Sequence, residues 1–178
     1  GAYLLPNLIG PEKACKVIIE NPMAQNRQLK PAQVLDLGIA DAMFAPADFL
    51  EESLLWAAKV LTGDVTVDRP ELDRGAAWDE TVAAVRAGLD ARLKGATPAP
   101  YRALDLVALA KTATRAEGFA AEDEALADLI MGNDLRAGLY SFDLVQKRAK
   151  RPVGAPDKKL ARPVTKVGVV GAGLMASQ

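Results

Sequence analysis

Trp78-Asp79-Glu80-Thr81-Val82-Ala83-Ala84-Val85-Arg86-Ala87-Gly88-Leu89-Asp90-Ala91-Arg92-Leu93-Lys94-Gly95 is the stretch that decides the fold class. Trp78, Val82, Val85, Leu89 and Leu93 recur every three or four residues, which lines up one face of an α-helix, and Gly95 closes it. Downstream, Thr97-Pro98-Ala99-Pro100 opens a second helix with a cap residue followed by proline, running to about Glu117. Its Leu104, Leu106, Val107 and Leu109 surround most of the axis, which predicts a well-buried helix, and Gly118 reads as its break. A third helix carries Glu122-Asp123-Glu124 in its first turn and ends near Gly132. Asn133 or Asp134 caps a fourth, with the stripe Leu135, Leu139, Phe142 and Val145.

Upstream, residues 65–75 read as a connecting loop. Pro46 to Leu61 predicts a helix with Leu50, Leu54, Ala57, Ala58 and Leu61 on one face. Lys30 to Gly38 is a short helix stopped by glycine, and Pro11 to Glu20 a helix opened by proline and glutamate. Ile39–Phe44 alternates in part and predicts a short strand. Lys166–Val170 has the composition of a second. The expected fold is mostly α, with one or two short strands.

The chain has 178 residues, half of them hydrophobic and a quarter charged, enough for a sizeable core. A net charge of -1 argues against nucleic-acid and anionic-membrane partners. There is no histidine, which excludes Ser-His-Asp, Cys-His and His-metal chemistry within these residues. The single cysteine, Cys15, excludes an intrachain disulfide and a multi-cysteine zinc site. No signal peptide or transmembrane run is present, so a cytoplasmic location is expected. The missing initiator Met and a pattern that stops before closing predict that the chain is a fragment.

From Lys147 to Pro163 the sequence turns basic and proline-punctuated, as an interdomain linker does. Thr165 to Val170 then leads directly into Gly171-Ala172-Gly173-Leu174-Met175-Ala176. After a strand, Gly171 would make a tight turn, Gly173 would let the backbone approach a pyrophosphate, and Ala176 would let helix and strand pack closely. These three are the candidate cofactor-binding residues. The acidic residue that would hold the ribose belongs about 20 positions further on, past Gln178. Glu51-Glu52 and Glu122-Asp123-Glu124 read as helix-dipole partners rather than acid–base pairs, because adjacent helical side chains diverge. Cys15 reads as a small core residue, and Tyr3, Trp56 and Trp78 as core or interface aromatics.

Leu8 to Ala14 and Leu29 to Asp41, with Lys30-Pro31 where a small polar start is usual, resemble the C-terminal half of a crotonase (enoyl-CoA hydratase/isomerase) core. Pro98 to Pro100, the Glu117-Gly118-Phe119 turn, the Asp134 to Phe142 helix and the basic Lys147 to Arg151 segment resemble the region after that core in the α-subunits of fatty-acid oxidation complexes. Val167 to Ala176 resembles the first strand and glycine turn of their 3-hydroxyacyl-CoA dehydrogenase half. The resemblance implies a division into 1–64 (crotonase C-terminal part), 65–150 (helical region and linker helix), 151–163 (linker) and 164–178 (truncated opening of the NAD-binding domain).

It also implies a bifunctional β-oxidation enzyme, lyase and oxidoreductase, acting on acyl-CoA with NAD as cofactor. Its catalytic glutamates would lie before Gly1 and its His–Glu pair after Gln178, so none of its catalytic residues maps onto this chain. Association as a homo-oligomer or with a thiolase-type β-subunit is implied as well. Phe142 and Lys147 occupy the helix comparable to one whose aromatic and lysine touch the CoA nucleotide in some crotonases, at a different spacing. By itself the chain is expected to be inactive and to hold no NAD. The alternative is a helical interaction or assembly module without catalysis.

Overall fold

The computed structural model describes residues 1–150, 153–171 and 173. The chain divides into two units, one up to Leu135 and the other from Arg136 onward. The first holds α1 (Pro6–Ile9), α2 (Pro11–Cys15), α3 (Asn21–Met23), α4 (Pro31–Asp36), α5 (Phe49–Thr62), α6 (Ala76–Leu93), α7 (Pro98–Leu109) and α8 (Arg115–Met131). Helix α9 (Asn133–Asp143) opens into the second unit.

A π-helical turn, Lys16–Glu20, joins α2 to α3. The cause is local. Pro22 lacks an N–H and its ring crowds the carbonyl four residues back, that of Ile18, so the helix widens there instead of breaking. This helical stretch packs on α6 and α7, which are themselves in contact and joined by a short left-handed turn through Lys94 and Gly95. Cys15, Ile19, Leu89, Leu104 and Val107 form the buried centre, with Ile18, Val82, Val85, Leu93 and Tyr101 packed around it. Both helical patterns legible in the sequence therefore meet in one core. Trp78, fully buried, donates its indole N–H to the Val107 carbonyl at 3.1 Å, which satisfies the one polar atom it carries inside.

The fold is mostly α, as expected, but several helix boundaries and both strands differ from the sequence reading; α5 starts at Phe49, with Pro46 in the turn before it. The second helix stops at Leu109, and α8 begins at Arg115. Thr114 and Glu117 form a reciprocal capping box: the Thr114 hydroxyl accepts from the Glu117 N–H at 3.3 Å, and the Glu117 carboxylate accepts from the Thr114 N–H at 2.8 Å. Glu122-Asp123-Glu124 therefore lies inside α8, past its first turn. Gly118 breaks nothing. It sits buried in α8 where a Cβ would overlap the Tyr3 ring, so it is small for packing.

Among the described residues there is no strand. Ile39–Phe44 and Lys166–Val170 are both irregular. A strand is defined by its ladder, and neither segment meets a second extended segment whose N–H and C=O groups could pair with its own. Residues 65–75 form a loop, and Gly38 follows α4 with φ +79°, both as expected.

Candidate functional site

The glycine turn lies in the second unit. Gly171 has φ +130°, a backbone that L side chains rarely adopt, and no atom crowds the position a Cβ would take at Gly173. Val167, Val169 and Val170 are exposed, with no ladder beside them. Ala176, the third candidate, lies outside the described residues, as do Ala172, Leu174 and Met175.

Phe142 is exposed near the end of α9, and Lys147 stands on the π-helical turn Leu144–Ala149 that continues it. Lys147 pairs with Asp143 at 2.9 Å, one turn back. That bond holds the Asp143 carboxyl below its ordinary range and raises the Lys147 ammonium above its own. The ammonium is thus engaged within its own helix, and a ligand phosphate would have to compete with a carboxylate already in place.

Cys15 is buried in the first unit, and burial, with Glu20 nearby, pushes its thiol up to about 11. A thiol kept neutral is a packing group and not a nucleophile. Glu51 and Glu52 occupy the first turn of α5, where the helix dipole favours them. Glu122 accepts the Tyr3 N–H at 2.6 Å, so it anchors the N-terminal turn onto α8. No group of three or more metal-ligating side chains is found among the described residues.

Among the concavities of the first unit, two are lined by several polar side chains. One of about 800 Å³ is walled by Asn7 and the loop Pro70–Gly75. The other, of about 270 Å³, lies over the π-helical turn and is lined by Lys16, Asn21, Arg27, Gln33 and Asp36 among others.

Behind the first lies a cluster that the sequence patterns did not single out. Arg74 donates to the carbonyls of Ala110 (3.3 Å) and Lys111 (3.0 Å) and to Asn7 Oδ1 (2.6 Å), while its guanidinium stands 5.7 Å from the Trp78 ring centre. Asn7 in turn donates to Tyr3 O at 2.9 Å and Ala110 O at 3.2 Å. A cation on the carbonyls just past the C-terminal end of α7 satisfies groups that the helix end leaves unpaired and complements its dipole. The partners stand 36 and 67 positions apart, so no local pattern could have marked them.

No family model and no solved structure matches the chain. Curated relatives do. Over 98% of its length the chain is 25% identical to a "Fatty acid oxidation complex subunit alpha" of Shewanella loihica (strain ATCC BAA-1088 / PV-4) and 28% identical to the same-named protein of Shewanella halifaxensis (strain HAW-EB4). The resemblance seen in the sequence motifs thus extends through nearly the whole chain. The chain spans about a quarter of the length of these relatives, 24% of each. Among the described residues, no helix is long and apolar enough to cross a membrane.

Proposed function

We propose that the chain is the connecting part of a bifunctional fatty-acid oxidation enzyme, which hydrates 2-enoyl-CoA and oxidises the resulting 3-hydroxyacyl-CoA with NAD. In this reading, residues 1–64 close the hydratase core and 65–150 form the helical spacer. Residues 151–163 are the linker, and 164–178 open the NAD-binding domain. The observation that carries it is the extent of the similarity, 98% of the chain. The catalytic groups belong to other parts of the longer enzyme, and a thiolase-type β-subunit is the partner that would take its product.

For NAD, the residues present fit the backbone part of a site. Gly171 holds a φ that suits a tight turn, and the open space at Gly173 leaves the chain approachable. Gly171, Gly173 and Ala176 would border the pyrophosphate, and the bound cofactor would accept the hydride. These residues only position it. A site built on this turn alone lacks an adenosine pocket and an acid for the ribose, so the isolated chain holds no NAD.

The test uses the full-length polypeptide that carries this chain, given crotonyl-CoA and NAD. Hydration is followed by loss of the enoyl-thioester absorbance, and oxidation by NADH appearance. Gly171→Val should leave hydration intact and abolish NADH formation, because a β-branched residue cannot hold φ +130°. The reading fails if the polypeptide performs neither reaction, or if Gly171→Val still yields NADH at the unsubstituted rate.

A further inference from the structure

The smaller polar concavity gathers charged groups that the fold leaves without ion-pair partners. Lys16 and Val17 line it from the π-helical turn, Arg27 from the loop after α3, and Gln33, Asp36 and Leu37 from one side of α4 and its C-cap. Among the described residues, neither of these cations takes part in an ion pair, and neither does Asp36. Gln33 Oε1 accepts the Lys30 N–H at 2.9 Å, which leaves the NH2 end of its carboxamide to donate. Two successive residues that carry a Cβ, Gln25 and Asn26, hold left-handed backbone with φ +59° and +54°. They turn the chain back so that the Arg27 N–H donates to the Asn21 carbonyl at 2.9 Å. Such backbone is costly and persists where its surroundings hold it, and here it fixes the point from which the Arg27 stem leaves the chain.

We propose that this cavity binds a small polyol phosphate, with the phosphoryl group on Lys16, Arg27 and Gln33 and a hydroxyl on Asp36. Donors on three separate elements suit a tetrahedral phosphoryl group, whose terminal oxygens point in different directions. A planar carboxylate offers only two oxygens in one plane. The Arg27 fork can take two phosphoryl oxygens at once, and the Lys16 ammonium acts on the third as a point charge. Two cations also match the charge of a phosphate monoester, about −1.5 to −2 at neutral pH.

Asp36 selects an ester over a bare anion. An ionised carboxylate only accepts hydrogen bonds, so it repels a bare dianion and favours the hydroxyl of an attached carbon chain. Val17 and Leu37 give that chain apolar contact. The volume, about 270 Å³, lies just under the usual range for ligand sites, roughly 300–1,000 Å³, which limits the occupant to a few carbons. Lys16 and Arg27 are exposed, so salt screens their pull and the affinity is modest. The wall that carries Lys16 is π-helical, an irregularity that recurs at functional sites. The site is independent of the fatty-acid oxidation reading.

Calorimetric titration of the 178-residue chain with glycerol 3-phosphate at low salt should show saturable binding, about tenfold tighter than inorganic phosphate. Lys16→Ala and Arg27→Ala should each weaken it about tenfold with an unchanged circular dichroism spectrum, since both side chains are exposed. Asp36→Asn should tighten inorganic phosphate and erase the preference for the ester. Lys59→Ala, in the last turn of α5, should change nothing. The proposal is overturned if glycerol 3-phosphate fails to saturate the chain in the millimolar range, or if Arg27→Ala binds it as the unsubstituted chain does. It is overturned as well if Lys59→Ala weakens binding as much as Lys16→Ala, the mark of diffuse charge, or if Asp36→Asn keeps the preference. Succinate bound as tightly as glycerol 3-phosphate would refute the phosphoryl assignment, and AMP bound more tightly would refute the small occupant.

Discussion

Gly88 and Gly118 both lie inside long helices of the same unit, so one substitution made at each separates helix propensity from packing. At Gly88, in α6, nothing lies within 4 Å of the position a Cβ would take. Alanine there gains the full propensity difference, about 1 kcal/mol of stability. At Gly118 the same gain is opposed by Tyr3, whose ring a Cβ would overlap.

Tyr3 is held in three ways: edge-on against Phe119 with ring centres 5.9 Å apart, through its hydroxyl to Ala113 O at 3.3 Å, and through its N–H to Glu122. Displacing the ring forfeits about 1 kcal/mol of aromatic pairing and about 1 kcal/mol of hydrogen bonding. It also loses about 1 kcal/mol of packing against α8. Set against the propensity gain, Gly118→Ala should cost about 2 kcal/mol. Urea unfolding followed by circular dichroism should therefore move the midpoint up for Gly88→Ala and down for Gly118→Ala. In a Tyr3→Ala background, Gly118→Ala should become stabilising, because the obstacle is gone. If Gly118→Ala stabilises the otherwise unsubstituted chain as Gly88→Ala does, Tyr3 does not pack on α8 and the N-terminal turn is not docked there.

Leu104→Ala should cost about 2–5 kcal/mol, read from the same urea curves, because the side chain is fully buried where α6, α7 and the π-helical turn meet. Cys15 should resist alkylation at pH 8 until the chain unfolds. Because its folded pKa is raised from 9.0 to about 11, its contribution to stability is complete below pH 9 and is lost as pH rises through about 11, which a pH series of unfolding midpoints checks. Arg74→Ala should destabilise by about 1–2 kcal/mol in urea unfolding, and Arg74→Lys should recover only part of it, since one ammonium cannot reproduce the planar fork on Ala110, Lys111 and Asn7.

Much of the helical layout was legible from the sequence because its causes are local. The stripe from Trp78 to Leu93 and the Thr97-Pro98 start are signals carried within a few residues, and both coincide with helix boundaries or faces in the structure. Thr114 and Glu117 carry such a signal too. The sequence reading instead takes Gly118 as a stop, because its smallness reads as one until Tyr3 is seen lying on it. The candidate nucleotide turn was legible only as a motif. Its glycines supply backbone freedom, while the geometry of a site comes from strands and helices brought to it from elsewhere.

The remaining questions were tertiary because they concern relations between distant segments. Ile39–Phe44 and Lys166–Val170 have strand-like composition, but a strand needs a neighbour, and among the described residues neither has one. The Arg74 and Asn7 contacts reach across the unit and leave no trace in local pattern. The clearest case is a pair of stripes. Val82, Val85, Leu89 and Leu93 on α6 and Leu50, Leu54, Ala57 and Leu61 on α5 are alike as sequences, yet the first packs into the core and the second faces water. Periodicity establishes that a helix has an apolar face. Whether that face is covered depends on a second surface whose position no spacing along the helix encodes, because burial is a property of two faces together.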